Sequence, residues 1–186
     1  RDNKRNGLGV NNEKAAERFV FRLMEVYFQL PEVIRLMENA DGLFLNLVED
    51  LITRVKIFRT HFATLDIRQD HPVHIKVIRA IIEKYRLSDK PYDDLSEAEL
   101  IQILTETEVV IDEHLFDDPM VIDTIRNIKQ LKIIQRLNGE QGCNRYIISN
   151  SEDIFSILYV FGLFKFCGWK TEEINIDIIP LFETIE

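Results

Sequence analysis

Two charged residues close apolar stretches in a way that suits catalysis. Arg68 ends the run from Phe62 to Ile67, and Glu183 follows the run from Ile174 to Phe182. A guanidinium at a strand end is shaped for bidentate capture of a phosphate or carboxylate. A carboxylate at the matching end of another strand offers one coordination position to Mg²⁺ or Mn²⁺. Together they suggest an anionic substrate held by arginine and a divalent ion. Blander readings of the same residues stand beside this one. Arg68 could be neutralised in a structural ion pair with Asp66 or Glu183. Glu183 could be a helix N-terminal acid facing the dipole.

Other reactive side chains form no pattern. His61, His71, His74 and His114 lack ligand spacing with Cys or Glu and read as surface or hydrogen-bonding histidines. Cys143 and Cys167 read as small apolar groups, and two thiols in a chain of 186 residues fit a reducing cytosol better than a disulfide framework. Phe161, Phe164 and Phe166 read as core. No Ser-His-Asp grouping, phosphate-binding loop or dinucleotide glycine pattern is present.

The elements that must position Arg68 and Glu183 follow from periodicity. Arg1 to Asn12 reads as a loop, and helical spacing begins at Glu13. Pro31 suits the first turn of a short helix. After the break at Asp41-Gly42, a longer helix is expected to bury Phe44, Leu47, Val48, Leu51, Ile52, Val55 and Phe58. Phe62–Arg68 reads as a strand and Pro72–Tyr85 as a helix. Ser96 and Glu99 form a capping box. Asp118-Pro119 starts a helix that Asn138-Gly139 closes. Arg145–Ser149 is a second strand, Ser151–Phe166 an apolar helix, and Ile174–Phe182 a third strand.

Strands separated by helices predict parallel pairing, and their apolar centres suit a sheet covered on both faces. The expected fold is α/β with high helix content, a partial (β/α)8 TIM-type barrel with long helical insertions. Residues 1–61 would lead into it and residues 62–186 would form the barrel segment.

Composition excludes several classes. With 32 acidic residues against 23 Lys and Arg, the net charge is −9, and no basic stripe offers a nucleic-acid surface. The apolar run from Ile154 to Cys167 is broken by Ser156, Gly162 and Lys165 and is too short to span a bilayer. A cytoplasmic protein is expected. The first residues have no apolar centre of a signal peptide. With no initiator Met and a C-terminus that stops within a motif, the sequence reads as an internal stretch of a longer polypeptide.

Five motifs in order then carry a resemblance. They are Asp41-Gly-Leu43, Leu65-Asp-Ile-Arg-Gln69 with His74 close behind, Leu95-Ser-Glu97, Tyr146-Ile-Ile-Ser149 and Pro180-Leu-Phe-Glu-Thr184. In this order they resemble the phosphoenolpyruvate carboxylase family from about Asp41 onward. The resemblance implies carboxylation of phosphoenolpyruvate by bicarbonate to oxaloacetate and phosphate, with Mg²⁺ or Mn²⁺. It implies that Arg68 binds the substrate phosphate or the carboxylation intermediate, and that Glu183 is one of two acidic metal ligands. It also implies a homo-oligomer as the full-length enzyme.

The remaining family residues (a second acidic ligand, a lysine, a glycine-rich loop, further arginines and a histidine) would lie outside this stretch, so the piece is expected to be inactive alone. The sequence departs from the family pattern at Asp70, where Glu is common, at Asn144-Arg145, where Gly-Ala is common, and at Asn150, where Met is common. The competing readings are another metal-dependent, enolate-handling barrel lyase or phosphotransferase, and a non-catalytic helical interaction module.

Overall fold

A computed structural model describes residues 22, 25, 28–36, 45–58 and 64–182. The chain divides into two compact units, Arg1–Thr64 with Leu137–Gly142, and Leu65–Arg136 with Cys143–Glu186. The helix expected from Glu13 and the break at Asp41-Gly42 lie largely or wholly outside the described residues.

In the first unit, residues 28–36 are helical, as is α1, Leu45–Phe58. The stripe expected to be buried on α1 is not: Val48, Ile52 and Val55 are half-buried, while Leu47, Leu51 and Phe58 are exposed. Periodicity identifies a face, but burial needs a second surface against it.

The second unit is built on three strands. These are β1 (Asp66–Asp70), β2 (Arg145–Ser149) and β3 (Asp177–Pro180), in the order β1-β2-β3. Both pairings are parallel, as expected, with Asp66 opposite Arg145 and Arg145 opposite Asp177. Two strands differ from the expected bounds. Thr64 and Leu65 precede β1, which instead runs on through Gln69 and Asp70, because β2 supplies partners as far as Ser149. Residues Thr171–Glu173 form a 3-10 turn, so β3 begins only at Asp177, whose N–H reaches Asn144 O at 2.8 Å.

Three helices fill the connection from β1 to β2: α2 (His71–Tyr85), α3 (Glu97–Glu106) and α4 (Pro119–Asn138). Their ends have local causes. Pro72 sits in the first turn of α2, where its missing N–H costs nothing. Arg86 closes α2 in the left-handed conformation at φ 50°, and Leu87 N–H reaches back to Ile82 O at 3.0 Å. The capping box of α3 is formed in both directions between Ser96 and Glu99. Asp118 Oδ1 accepts from Met120 N–H at 2.9 Å at the start of α4, and Gly139 follows its end at φ +86°.

Between β2 and β3 lies α5, Ile154–Phe166. It starts with the apolar run at Ile154, three residues later than the expected start at Ser151. Ser151 is engaged with Ile148 O and Leu181 O, and Asp153 caps the helix through Phe155 N–H.

One core joins these helices to one face of the sheet. Val77, Ile78, Ile81 and Ile82 of α2 meet Leu104 of α3, Ile125 and Ile128 of α4, and Leu163 and Phe164 of α5. Each such side chain, fully buried, contributes roughly 1.5–3 kcal/mol relative to exposure. Tyr146 and Ile148 bring β2 into this core, with Ile67 and Ile178 packed beside them. Strand alternation therefore sends Asp66, Arg68, Asp70, Arg145, Ile147, Ser149 and Asp177 to the opposite face. That face carries charge, and Asp66, Arg68, Arg145 and Asp177 are exposed on it. Among the described residues the sheet is thus covered on one face rather than both. Among those residues, no helix is long and apolar enough to cross a membrane.

Candidate functional site

Arg68 is the third of five residues in β1, opposite Ile147 of β2. It does not end the strand, as its place in the sequence suggested. It stands on the charged face, two residues before the C-terminal end. Its side chain is exposed, and among the described residues no hydrogen bond or ion pair engages it. The alternative partner Asp66 is committed elsewhere: Arg145 Nε lies 2.8 Å from its Oδ1.

Glu183 lies outside the described residues, and so does any meeting of Glu183 with Arg68. The chain leading toward it is held against β2. Leu181 N–H donates to Ile148 O at 2.9 Å, and Leu181 O accepts from Ser151 N–H at 3.0 Å.

At the C-terminal end of β1, Asp70 Oδ1 accepts from the Asn150 amide Nδ2 at 2.7 Å. Asn150 takes φ 52°, a left-handed conformation in which Asn is several-fold enriched among non-glycine residues. The backbone N–H of Asp70 donates to Gln69 Oε1 at 2.9 Å. Neither the Asp66–Arg145 pair nor the Asp70–Asn150 pair was anticipated from sequence. The alternation of charge in Asp-Ile-Arg-Gln-Asp was the available signal, but the partners come from 79 and 80 residues away.

Two histidines stand behind this end of the sheet. His71 and His74, one turn apart on α2, are buried on its core face rather than at the surface. His74 Nε2 and the Tyr146 hydroxyl share a hydrogen bond of 2.9 Å. Burial lowers the His74 pKa to about 4, the neighbouring His71 adds to the shift, and Asp70 opposes it. His71 stacks on Tyr159, whose hydroxyl meets that of Tyr92 at 2.8 Å. Burial pushes the Tyr146 and Tyr159 hydroxyls far above the usual phenol range. The signal for this network was present, since His71 and His74 share the helical spacing of Val77 and Ile78. His114 is exposed, and His61 lies outside the described residues.

Cys143 and Cys167 are free and buried, as expected of small apolar groups. Burial raises the Cys167 thiol to about 12, so no ionised nucleophile is on offer there. Among the described residues no group of three or more His, Cys, Asp or Glu side chains is arranged to hold a metal ion.

Comparison with known proteins gives one consistent result. The sequence profile of the phosphoenolpyruvate carboxylase family matches residues 14–186. A phosphoenolpyruvate carboxylase from Synechococcus sp. is 36% identical over 149 residues, covering 75% of this chain and 14% of the relative. One from Thermosynechococcus vestitus is 33% identical over 169 residues, covering 84% of this chain and 16% of the relative. One from Prochlorococcus marinus subsp. pastoris is 29% identical over 182 residues, covering 94% and 18%. The chain therefore spans less than a fifth of the length of these relatives.

Proposed function

We propose, because the chain belongs to the phosphoenolpyruvate carboxylase family, that it is part of an enzyme that carboxylates phosphoenolpyruvate. Bicarbonate is the second substrate, and oxaloacetate and phosphate are the products. The observation that carries the reading for this chain is Arg68: an exposed guanidinium, without a partner among the described residues, on the charged face of a parallel sheet. A closed barrel with its helices outside would turn that face inward, toward the working mouth. This supports a partial (β/α)8 barrel over residues 62–186, and we propose that residues 1–61 lead into it. Neither another enolate-handling barrel nor a non-catalytic module accounts for the family match.

In this reading phosphoenolpyruvate passes its phosphoryl group to bicarbonate, leaving an enolate and carboxyphosphate. Carboxyphosphate breaks down to carbon dioxide and phosphate, and the enolate carbon attacks the carbon dioxide. Arg68 binds the transferred phosphate or the carboxylated intermediate through its planar fork. Glu183 supplies one hard oxygen ligand for Mg²⁺ or Mn²⁺, the other ligands coming from elsewhere in the polypeptide. The ion, when bound, supplies electrostatic stabilisation of the developing enolate charge. We further propose a cytoplasmic homo-oligomer that engages neither nucleic acid nor membrane.

The test is a pair of variants in the complete enzyme. Arg68→Lys keeps the charge and loses the bidentate fork, so it impairs substrate handling rather than metal affinity. Glu183→Gln keeps the shape and weakens the metal, so rising Mg²⁺ partly restores it while leaving Arg68→Lys impaired. Wild-type kinetics in both variants would end the assignment.

A further inference from the structure

We propose that Arg145 and Asn150 are positioning residues that keep Arg68 open to an anion by occupying the two aspartates nearest to it on β1. The inference rests on the reading that Arg68 binds the anionic substrate. Asp66, Arg68 and Asp70 alternate along one strand, so all three side chains share a face. Two residues of strand rise about 6.6 Å, a separation that an arginine side chain spans easily. A guanidinium set between two uncommitted carboxylates would pair with one of them part of the time and bind an anionic substrate more weakly.

Instead, each carboxylate is already taken from β2. Arg145, the first residue of β2 and the register partner of Asp66, places its Nε 2.8 Å from Asp66 Oδ1. Asn150 follows Ser149, the register partner of Asp70, and its amide Nδ2 donates to Asp70 Oδ1 at 2.7 Å. Arg68, between the two pairs, has no hydrogen bond or ion pair among the described residues.

The experiment is titration calorimetry with phosphoenolpyruvate on the complete polypeptide, alongside steady-state kinetics. Arg145→Ala releases Asp66 toward Arg68, and Kd and KM for phosphoenolpyruvate rise about three- to fivefold, the worth of one exposed ion pair. The value of kcat at saturation changes little. Adding Asp66→Asn to Arg145→Ala removes the competing charge and restores affinity, and Arg145→Lys retains it. Asn150→Gly removes the amide while tolerating the positive φ. It weakens binding in the same direction, and Asp70→Asn reverses the loss.

Unchanged affinity in both Arg145→Ala and Asn150→Gly overturns the inference. So does a loss that the aspartate substitutions fail to reverse. Arg68→Ala separates the two levels of the claim. If it weakens phosphoenolpyruvate while the β2 variants do nothing, the substrate reading stands and the inference falls. If Arg68→Ala binds like wild type, the reading falls and the inference with it.

Discussion

Burial lowers the His74 pKa to about 4 from an ordinary 6.5, and the consequence is a pH-dependent stability. The groups facing it are the Tyr146 hydroxyl from β2, His71 on its own helix and Asp70 at the end of β1. A depressed imidazole pKa means that the unfolded chain takes up the proton first as pH falls. The stability from the neutral ring is therefore whole above about pH 6.5 and is lost progressively toward pH 4, about 3 kcal/mol in all. His74→Gln keeps a hydrogen-bonding partner for Tyr146 but cannot titrate. Urea midpoints of the complete polypeptide, measured from pH 7 to pH 4, should fall more steeply for wild type than for His74→Gln. Parallel curves would show that His74 is not the titrating group. The burial of His71 and His74 had a signal in their spacing on the apolar face of α2, although both read from sequence as surface or hydrogen-bonding residues. Their partners Tyr146 and Tyr159 were not legible, because they lie 72 or more residues away in the chain.

Helix ends were more legible than strand ends, for a physical reason. The caps at Ser96, Asp118 and Gly139 are interactions within a few residues, so sequence spacing contains them. The limits of β1 and β3 are set by where β2 offers hydrogen-bonding partners, which no local run of residues records. The contact between α3 and α5 is of the same long-range kind. A Cβ built on Gly162 would stand 2.7 Å from Leu104 Cδ2 and 3.3 Å from Leu104 Cβ, and Leu104 is fully buried. The two helices approach there because Gly162 has no side chain. Gly162→Val should lower stability by about 2 kcal/mol through overpacking. A thermal melt of the complete polypeptide unchanged by this substitution would mean that the helices separate at little cost.

For the molecule as a whole, the chain of 186 residues assayed by itself should make no measurable oxaloacetate. One arginine and one carboxylate cannot stabilise both the departing phosphate and the enolate. Turnover coupled to malate dehydrogenase would refute this. Within the described sheet, β1 and β3 each pair on one side only, and Leu65, Ile154 and Phe182 are exposed. Open edges and exposed apolar groups favour association. Light scattering on the isolated chain should therefore report a mass above 21.9 kDa, and a stable monomer would count against it.

The sequence by itself determined the order and type of the elements of the second unit and the parallel character of its sheet. It also carried the motifs by which the chain resembles its family. These follow from hydrophobic period, local capping and residue identity, all of which are properties of short stretches. Tertiary structure alone decided that Arg68 stands on a charged face short of the strand end, and that its neighbours Asp66 and Asp70 are held by Arg145 and Asn150. Those facts depend on strand register, and register is fixed only when distant strands pair and one face of the sheet is buried.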